Sequence, residues 1–134
     1  MIVIDEDLHD HRIMEVIAAW YPGRVVSVTT LRPGSLIKDE AIPGLLCQVA
    51  RPTFVTINVT DFWKKVQPHS GYCIVLIGLS TERIRQAPDF LRRLLHLPDF
   101  STKVARMGKI VRLTAERVEY YESDRRIQSL LWPD

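Results

Sequence analysis

Short apolar runs rich in β-branched residues alternate with segments of helical periodicity along most of this chain. One such run covers residues 1–5, two more cover residues 24–30 and 53–58, and residues 72–77 (YCIVLI) are apolar without interruption. An unbroken apolar run of this kind is typical of a strand buried on both faces of a parallel sheet. The alternation predicts an α/β fold, in which helices cover both faces of a central, mainly parallel sheet.

The segments between these runs predict helices. Residues 8–21 place apolar side chains at helical spacing, and the Pro22–Gly23 pair ends that helix. A short helix is expected at residues 61–66. A longer one is expected from Ser80 toward His96, interrupted at Pro88.

Residues 39–50 allow two interpretations. Either Asp39 caps a helix whose first turn is distorted by Pro43, or Pro43 is itself the first helical residue. We prefer the second, which places Asp39 and Glu40 in a turn just before the helix.

The C-terminal part is expected to be an addition to this sheet. A polar turn over residues 99–107 leads to two β-rich segments, residues 108–114 and 117–121, which predict a β-hairpin. A length of 134 residues suits one domain. We therefore expect a single domain over residues 1–134, with a core in residues 1–80 and C-terminal helices and the hairpin in residues 81–122.

The composition argues against a membrane or secreted protein. No apolar stretch approaches the roughly 18–20 residues that a membrane span needs. The N-terminus turns acidic after four apolar residues, which does not resemble a secretory signal. The two cysteines, Cys47 and Cys73, are too few for a disulfide scaffold, and each lies in an apolar run that suggests a core position. We expect a cytoplasmic protein with no membrane partner.

Charge is unevenly distributed along the chain. Residues 1–61 hold eight acids against five bases, whereas residues 83–117 hold nine bases against three acids, although the net charge of the whole chain is only +2. This asymmetry is expected if acidic groups gather at a metal ion while a separate basic surface attracts a polyanion. Solvated helix faces give similar counts and are the alternative explanation.

Several polar residues follow predicted strands directly. Asp5 ends the first strand, and Asn58 and Asp61 follow the third. In parallel sheets the carboxyl ends of the strands share one edge, where functional groups collect. The alternative is helix capping, which is the better reading for Asp7 and an equal one for Asp5.

Clustered carboxylates repel one another unless a cation compensates their charge. Mg²⁺ suits such a site, since it prefers oxygen ligands and retains bound water. A metal ion held there could activate water and stabilise the charge that develops at a phosphodiester.

Four short motifs in this order carry a family resemblance. The chain opens with MIVIDEDL, reaches an acidic pair at Asp39–Glu40, and continues through Thr56 to Asp61–Phe62 and the apolar run of residues 72–77. Over roughly the first 80 residues it resembles the PIN-like domains, specifically the small stand-alone group of prokaryotic toxin–antitoxin pairs.

The resemblance implies a three-layer, Rossmann-like nuclease fold that binds Mg²⁺ or Mn²⁺. It further implies endoribonuclease activity, with RNA as the substrate, and a small cognate antitoxin protein that silences it. A homodimer is a further option. The residues it suggests are Asp5, Asp39 and Asp61 for catalysis, Asp5, Glu40 and Asp61 for the metal, and Asn58, Asp7, Arg92 and Arg93 for the substrate.

One position departs from the family pattern. The family commonly has Thr-x-Asp-x-Asp-Phe, whereas this chain has Asn58 at the first acidic position and one extra residue before Asp61. An amide offers a carbonyl oxygen but no charge, which weakens metal binding. The alternative function is therefore a catalytically degenerate PIN-like module that binds RNA or a protein partner.

Overall fold

In the computed structural model of this protein, which describes residues 1–8, 11–31, 39–57 and 60–133, seven strands form one sheet. Five side chains in these ranges, those of His11, Asp39, Thr60, Asp61 and Thr81, are not described. The strands are β1 (Ile2–Ile4), β2 (Val25–Ser27), β3 (Thr53–Thr56), β4 (Cys73–Ile77), β5 (Ile110–Leu113), β6 (Arg117–Tyr121) and β7 (Gln128–Leu131).

The described residues also form six α-helices and four 3-10 helices. The α-helices are α1 (His11–Trp20), α2 (Val28–Leu31), α3 (Ile42–Leu46), α4 (Thr60–Lys65), α5 (Ala87–Leu95) and α6 (Lys103–Arg106). The 3-10 helices are Glu6–Leu8, Asp39–Ala41, Thr81–Gln86 and Pro98–Phe100. Over the described residues, no helix is both long enough and apolar enough to cross a membrane.

The strand order is β2-β1-β3-β4-β5-β6-β7. Strands β1 to β5 run parallel to one another, whereas β6 pairs antiparallel with both β5 and β7. The predicted α/β class with a mainly parallel sheet is confirmed. The hairpin of β5 and β6 is also confirmed, but it is not an appendage, since β5 pairs with β4 and extends the central sheet. Strand β7 was missed.

Apolar side chains cover both faces of the sheet, because successive residues of a strand point to opposite sides. On one face, Ile2 and Ile4 pack with residues of α1 and α5. On the other, Val3 packs with residues of α2, α3 and α4. All five residues of β4 are buried, as its unbroken apolar sequence predicted. The architecture is therefore helices, sheet, helices.

Two local predictions were wrong, each at a place where packing or chain geometry overrides residue type. Residues 28–31 are helical (α2) although they belong to a β-branched run that predicted a strand as far as residue 30. The expected polar turn over residues 99–107 contains α6, whose N-cap Thr102 accepts a hydrogen bond from the Ala105 amide. The interruption predicted at Pro88 is present, because the segment from Ser80 toward His96 is divided into the 3-10 helix Thr81–Gln86 and α5, in whose first turn Pro88 lies.

The start of α3 supports the preferred interpretation of residues 39–50. Asp39 and Glu40 lie in a 3-10 turn, and α3 follows with Pro43 in its first turn. The helix is shorter than expected and ends at Leu46.

Tyr121 ties β6 to the helix that follows β3. Its hydroxyl lies 2.7 Å from the Trp63 carbonyl oxygen and 2.9 Å from that of Val66, at the end of α4. Its ring packs edge-on against the Trp63 indole. Trp63 lies in the last turn of α4 and Val66 follows the helix directly, where backbone acceptors have no partner within the helix.

We expect Tyr121→Phe to lower the free energy of unfolding by about 1–2 kcal/mol, because it leaves a buried carbonyl without its hydroxyl donor. Urea unfolding followed by circular dichroism measures this. Tyr120→Phe is the matched control: its hydroxyl donates to the side chain of Gln128, an exposed residue, and water can replace it. Equal losses in the two variants would contradict the anchoring role of Tyr121.

Candidate functional site

The strand order creates a crevice at the carboxyl ends of β1 and β3. From β1 the chain passes through α1 to β2 on one side, and from β2 it returns to β3 on the other side of β1. Helix α1 packs on one face of the sheet and α2 and α3 on the other. Ligands of doubly wound α/β proteins bind where connections diverge in this way, and for the order 2-1-3-4-5 that point lies between β1 and β3.

Asp5 and Asp7 meet the side chain of Thr56 at this crevice. The Thr56 hydroxyl oxygen lies 2.7 Å from Asp5 Oδ2 and 3.0 Å from Asp7 Oδ2. Thr56 is the last residue of β3 and is fully buried. The hydroxyl has one proton, so it donates to only one of the two carboxylates at a time.

Backbone hydrogen bonds fix the orientation of Asp5. Its amide donates to the Val55 carbonyl at 2.9 Å, which continues the pairing of β1 with β3 by one residue. Its Oδ1 accepts from the Glu6 amide at 2.8 Å, and its carbonyl accepts from the Leu8 amide at 3.0 Å. The turn after β1 therefore holds the carboxylate at the edge of the sheet.

The proximity of the two carboxyls shows in the pKa of Asp7. Partial burial and then the negative charge of Asp5 raise this pKa from 3.8 to about 6, although hydrogen bonds from Thr56 and from the Ile57 amide oppose the rise. The surroundings of Asp7 therefore disfavour its ionised form at neutral pH. A cation placed between the two carboxyls would lower the free energy of that ionised form.

Asp7 was predicted as a substrate contact, with capping as the alternative, and Thr56 was not predicted as a site residue. The structure groups both with Asp5. The sequence signal for Thr56 was a hydroxyl residue inside the apolar run of β3, but only the register of β1 with β3 shows that it faces Asp5.

Four other predicted site residues are described only in part. Asp39 lies in a 3-10 turn and Asp61 in α4, the helix after β3, but neither side chain is described. Asn58 lies outside the described residues. The Glu40 side chain is exposed. The roles predicted for these four residues remain predictions.

Arg92 and Arg93 are exposed on α5, and each guanidinium lies over an aromatic ring. That of Arg92 is 5.9 Å from the ring centre of Trp20, the last residue of α1, and that of Arg93 is 4.4 Å from the ring of Trp132. These contacts attach the arginine side chains to α1 and the C-terminal segment.

The cysteines occupy different environments. Cys73 is buried in β4, and burial raises the pKa of its thiol to about 12, so it stays protonated. Cys47 is exposed, contrary to the expected core position. It follows α3 directly, where the chain turns at the surface.

The oxygen atoms at this site are of the type that a hard divalent cation prefers as ligands. Asp5 and Asp7 each have a carboxylate oxygen beside the Thr56 hydroxyl. Carboxylate oxygens are the ligand atoms that Mg²⁺ and Mn²⁺ prefer. In the part of the chain that the structure describes, no three His, Cys, Asp or Glu side chains form a group that could hold a metal ion.

Comparisons with protein-family models, with curated proteins and with solved structures gave no match to this chain. The geometry at β1 and β3 and the sequence motifs are thus the basis for a functional proposal.

We expect Asp7→Asn to stabilise the folded protein at neutral pH. A carboxyl whose folded pKa is raised is better protonated in the folded state, so its contribution to stability is present below its unfolded pKa of 3.8 and is lost as pH rises through about 6. The gain at pH 7.5 should be about 1 kcal/mol, since solvent around the exposed Asp7 screens much of the shift.

Thermal and urea unfolding between pH 3.5 and pH 7.5, in the presence of a chelator, measure this difference. The curves of the two proteins should converge toward the acid end. Glu6→Gln, a change in the same turn, is the matched control and should not show the same pH dependence. A destabilised Asp7→Asn protein at pH 7.5 would contradict the repulsion between Asp5 and Asp7.

Proposed function

We propose that this protein is a PIN-like, divalent-metal-dependent endoribonuclease, and that it acts as the toxin of a toxin–antitoxin pair. The observation that carries the proposal is the convergence of Asp5, Asp7 and Thr56 at the crevice between β1 and β3. The family name, the RNA substrate and the antitoxin partner rest on the resemblance of the sequence motifs.

Asp5 and Asp7 are the residues that would hold Mg²⁺ or Mn²⁺. The cation would supply Lewis-acid stabilisation of a scissile phosphate and a more acidic bound water. The proposed metal site is completed by residues of other segments, namely Asp61, Asn58 and one of Asp39 and Glu40.

Thr56 acts through Asp5 in this proposal. Its hydroxyl lies within donating distance of Asp5 Oδ2, and the Glu6 amide donates to Oδ1, so each oxygen of the carboxylate has a donor beside it. A carboxylate held in this way needs little reorganisation on binding a charged ligand. Thr56 is therefore a positioning residue.

The topology also points to a phosphate-binding segment that the sequence did not single out. The 3-10 helix Thr81–Gln86 follows β4 and so begins at the same edge of the sheet as Asp5. Two of its side chains, Arg83 and Arg85, are exposed cations. We assign them, rather than Arg92 and Arg93, the first contacts with the RNA backbone.

A catalytically degenerate binding module is the second candidate. Asn58 favours it, because an amide stands where the family commonly has an acid. The two candidates differ in whether a divalent cation binds at the site.

We expect the protein to cleave single-stranded RNA in the presence of Mn²⁺ or Mg²⁺, and Asp5→Asn to lower the rate by about 100-fold or more, because the variant loses a proposed metal charge. Cleavage of a labelled RNA measures the rate, and Asp124→Asn, at an exposed turn between β6 and β7, is the matched control. Equal rates for wild type and Asp5→Asn would contradict the assigned role.

Calorimetric titration of Mn²⁺ into the same proteins separates the two candidates. Binding by wild type and its loss in Asp5→Asn support the nuclease. RNA binding without any divalent-cation binding at millimolar concentration supports the degenerate module.

We expect the double change Arg83→Gln and Arg85→Gln to weaken RNA binding. The slope of log K against the logarithm of the salt concentration should fall in magnitude by about 1–2, because each phosphate contact releases about one counterion. The pair Arg92→Gln and Arg93→Gln removes the same charge and is the matched control. Fluorescence anisotropy at several salt concentrations compares them. A larger effect from the control pair would place the RNA on α5 instead.

A further inference from the structure

Arg106 is the one charged residue that is buried among those whose side chains the structure describes, and it is only 3% exposed. It is the last residue of α6, and its Nε donates to Thr53 Oγ1 at 3.0 Å. Thr53 is the first residue of β3, whereas Thr56, beside Asp5, is the last. Arg106 therefore lies at the amino ends of the parallel strands, away from the candidate site.

Hydrogen bonds hold this guanidinium in place without compensating its charge. Nε donates to the Thr53 hydroxyl and Nη1 donates to the Phe100 carbonyl at 3.0 Å, so both acceptors are uncharged. Within the described ranges, Arg106 forms no ion pair with an acidic side chain. A buried charge without a counter-ion raises the free energy of the folded state, and a bound anion would lower it.

Part of the guanidinium is open to a ligand. It has five N–H donors, of which the two hydrogen bonds use one on Nε and one on Nη1. Nη2 makes no hydrogen bond to a described residue, yet none of the buried side-chain nitrogens in that part of the chain lacks a partner. Nη2 therefore lies at the molecular surface, where its N–H groups can donate to an anion.

Lys103 brings a second positive charge to the same place. It precedes Arg106 by three residues on α6, so the two residues are neighbours on one face of that helix, and its side chain is exposed. Partial burial, followed by the charges of Lys103 and Arg106, lowers the pKa of the Met1 amino group, just before β1. Both cations therefore lie near the amino end of β1, and an anion between them would reduce their repulsion.

Lys109 is a third cation at these strand ends, since it directly precedes β5. Its ammonium donates to the Asp99 carbonyl at 2.9 Å and lies 4.9 Å from the centre of the Phe100 ring. Lys109 has the same charge as Lys103 at the same edge of the sheet, but its ammonium already has other partners. It therefore provides a matched comparison.

A phosphate group suits these two cations better than a carboxylate does. A phosphate monoester carries about −1.5 to −2 charges at neutral pH and has three strong acceptor oxygens. Two of its oxygens can accept from the parallel N–H donors of a guanidinium, while another accepts from the ammonium of Lys103. A carboxylate has a single negative charge and only two oxygens to share between both cations.

We propose that Arg106 and Lys103 form a binding site for a phosphate group at the amino ends of β1 and β3. The group belongs to inorganic phosphate or to a nucleoside monophosphate, which present the same chemistry to the two cations. The site is independent of the proposed function, because it shares no residue with the candidate metal site. Thr53 and Thr56 mark the two sites and lie about 10 Å apart along β3.

Calorimetric titration with inorganic phosphate tests the proposal, in the presence of a chelator and with chloride salt keeping the ionic strength constant. We expect the wild type to bind one phosphate per chain, and to bind acetate at least about tenfold more weakly because acetate has a single charge. Lys103→Gln should raise the dissociation constant for phosphate by about tenfold or more, since it removes a charge-assisted hydrogen bond. Lys109→Gln is the matched control and should change it by less than about threefold.

Arg106→Met tests the guanidinium itself, because methionine is unbranched and uncharged. Phosphate binding should be lost, and circular dichroism shows whether the variant is folded. If it is not folded, the Lys103→Gln variant, changed at an exposed side chain, decides the question. Asp5→Asn should bind phosphate as the wild type does, so failure of this proposal is distinguishable from failure of the proposed nuclease activity.

Titration with adenosine monophosphate identifies the source of the phosphate group. Tighter binding than that of inorganic phosphate indicates a nucleotide, and equal or weaker binding indicates free phosphate. A wild type that binds no phosphate at tens of millimolar would overturn the proposal. So would equal dissociation constants for wild type and Lys103→Gln, equal effects of Lys103→Gln and Lys109→Gln, or equal affinities for phosphate and acetate.

Discussion

The parallel pairing of β1 with β3 is the contact on which the rest of the structure depends. It joins segments about 50 residues apart, leaves β2 on the outer side of β1, and lets the remaining strands add on the other side in chain order. The same pairing brings the Thr56 hydroxyl to Asp5 across 51 residues. One register thus sets both the topology of the sheet and the composition of the crevice.

This crevice combines a rigid support with an unfavourable charge. The strands below it are buried and apolar, so Asp5 and Thr56 have little freedom to move apart. Asp7, in the turn above, is held near Asp5 despite the repulsion that raises its pKa. A pair of acids held in this way is a common feature of sites that bind cations, and it is the physical reason for preferring a metal-dependent function over helix capping alone. Capping of the turn after β1 uses only one oxygen of Asp5, since the Glu6 amide donates to Oδ1 while Oδ2 faces Thr56.

The C-terminal third completes the fold. Strand β5 is parallel to β4 and buried, so residues 108–121 are part of the central sheet. Through Tyr121, β6 is linked to the last turn of α4, the helix that carries Asp61. Beyond it, β7 ends the sheet with an uncharged, exposed edge. The candidate site and this exposed strand therefore lie toward opposite sides of one sheet.

The sequence by itself determined the α/β class, the order of the main elements and the position of Asp5 at the end of a strand. These follow from local periodicity: β-branched runs such as IVI and CIVLI are buried as strands wherever they pair, and Ile13 and Ile17 lie on one face of any helix that contains them. Only the tertiary structure decided which strands are neighbours, and hence that Thr56 and Asp7 belong with Asp5. It also decided that residues 28–31 are helical and that residues 128–131 form a strand. Local pattern cannot supply these results, because strand pairing and burial depend on contacts between residues far apart in the chain.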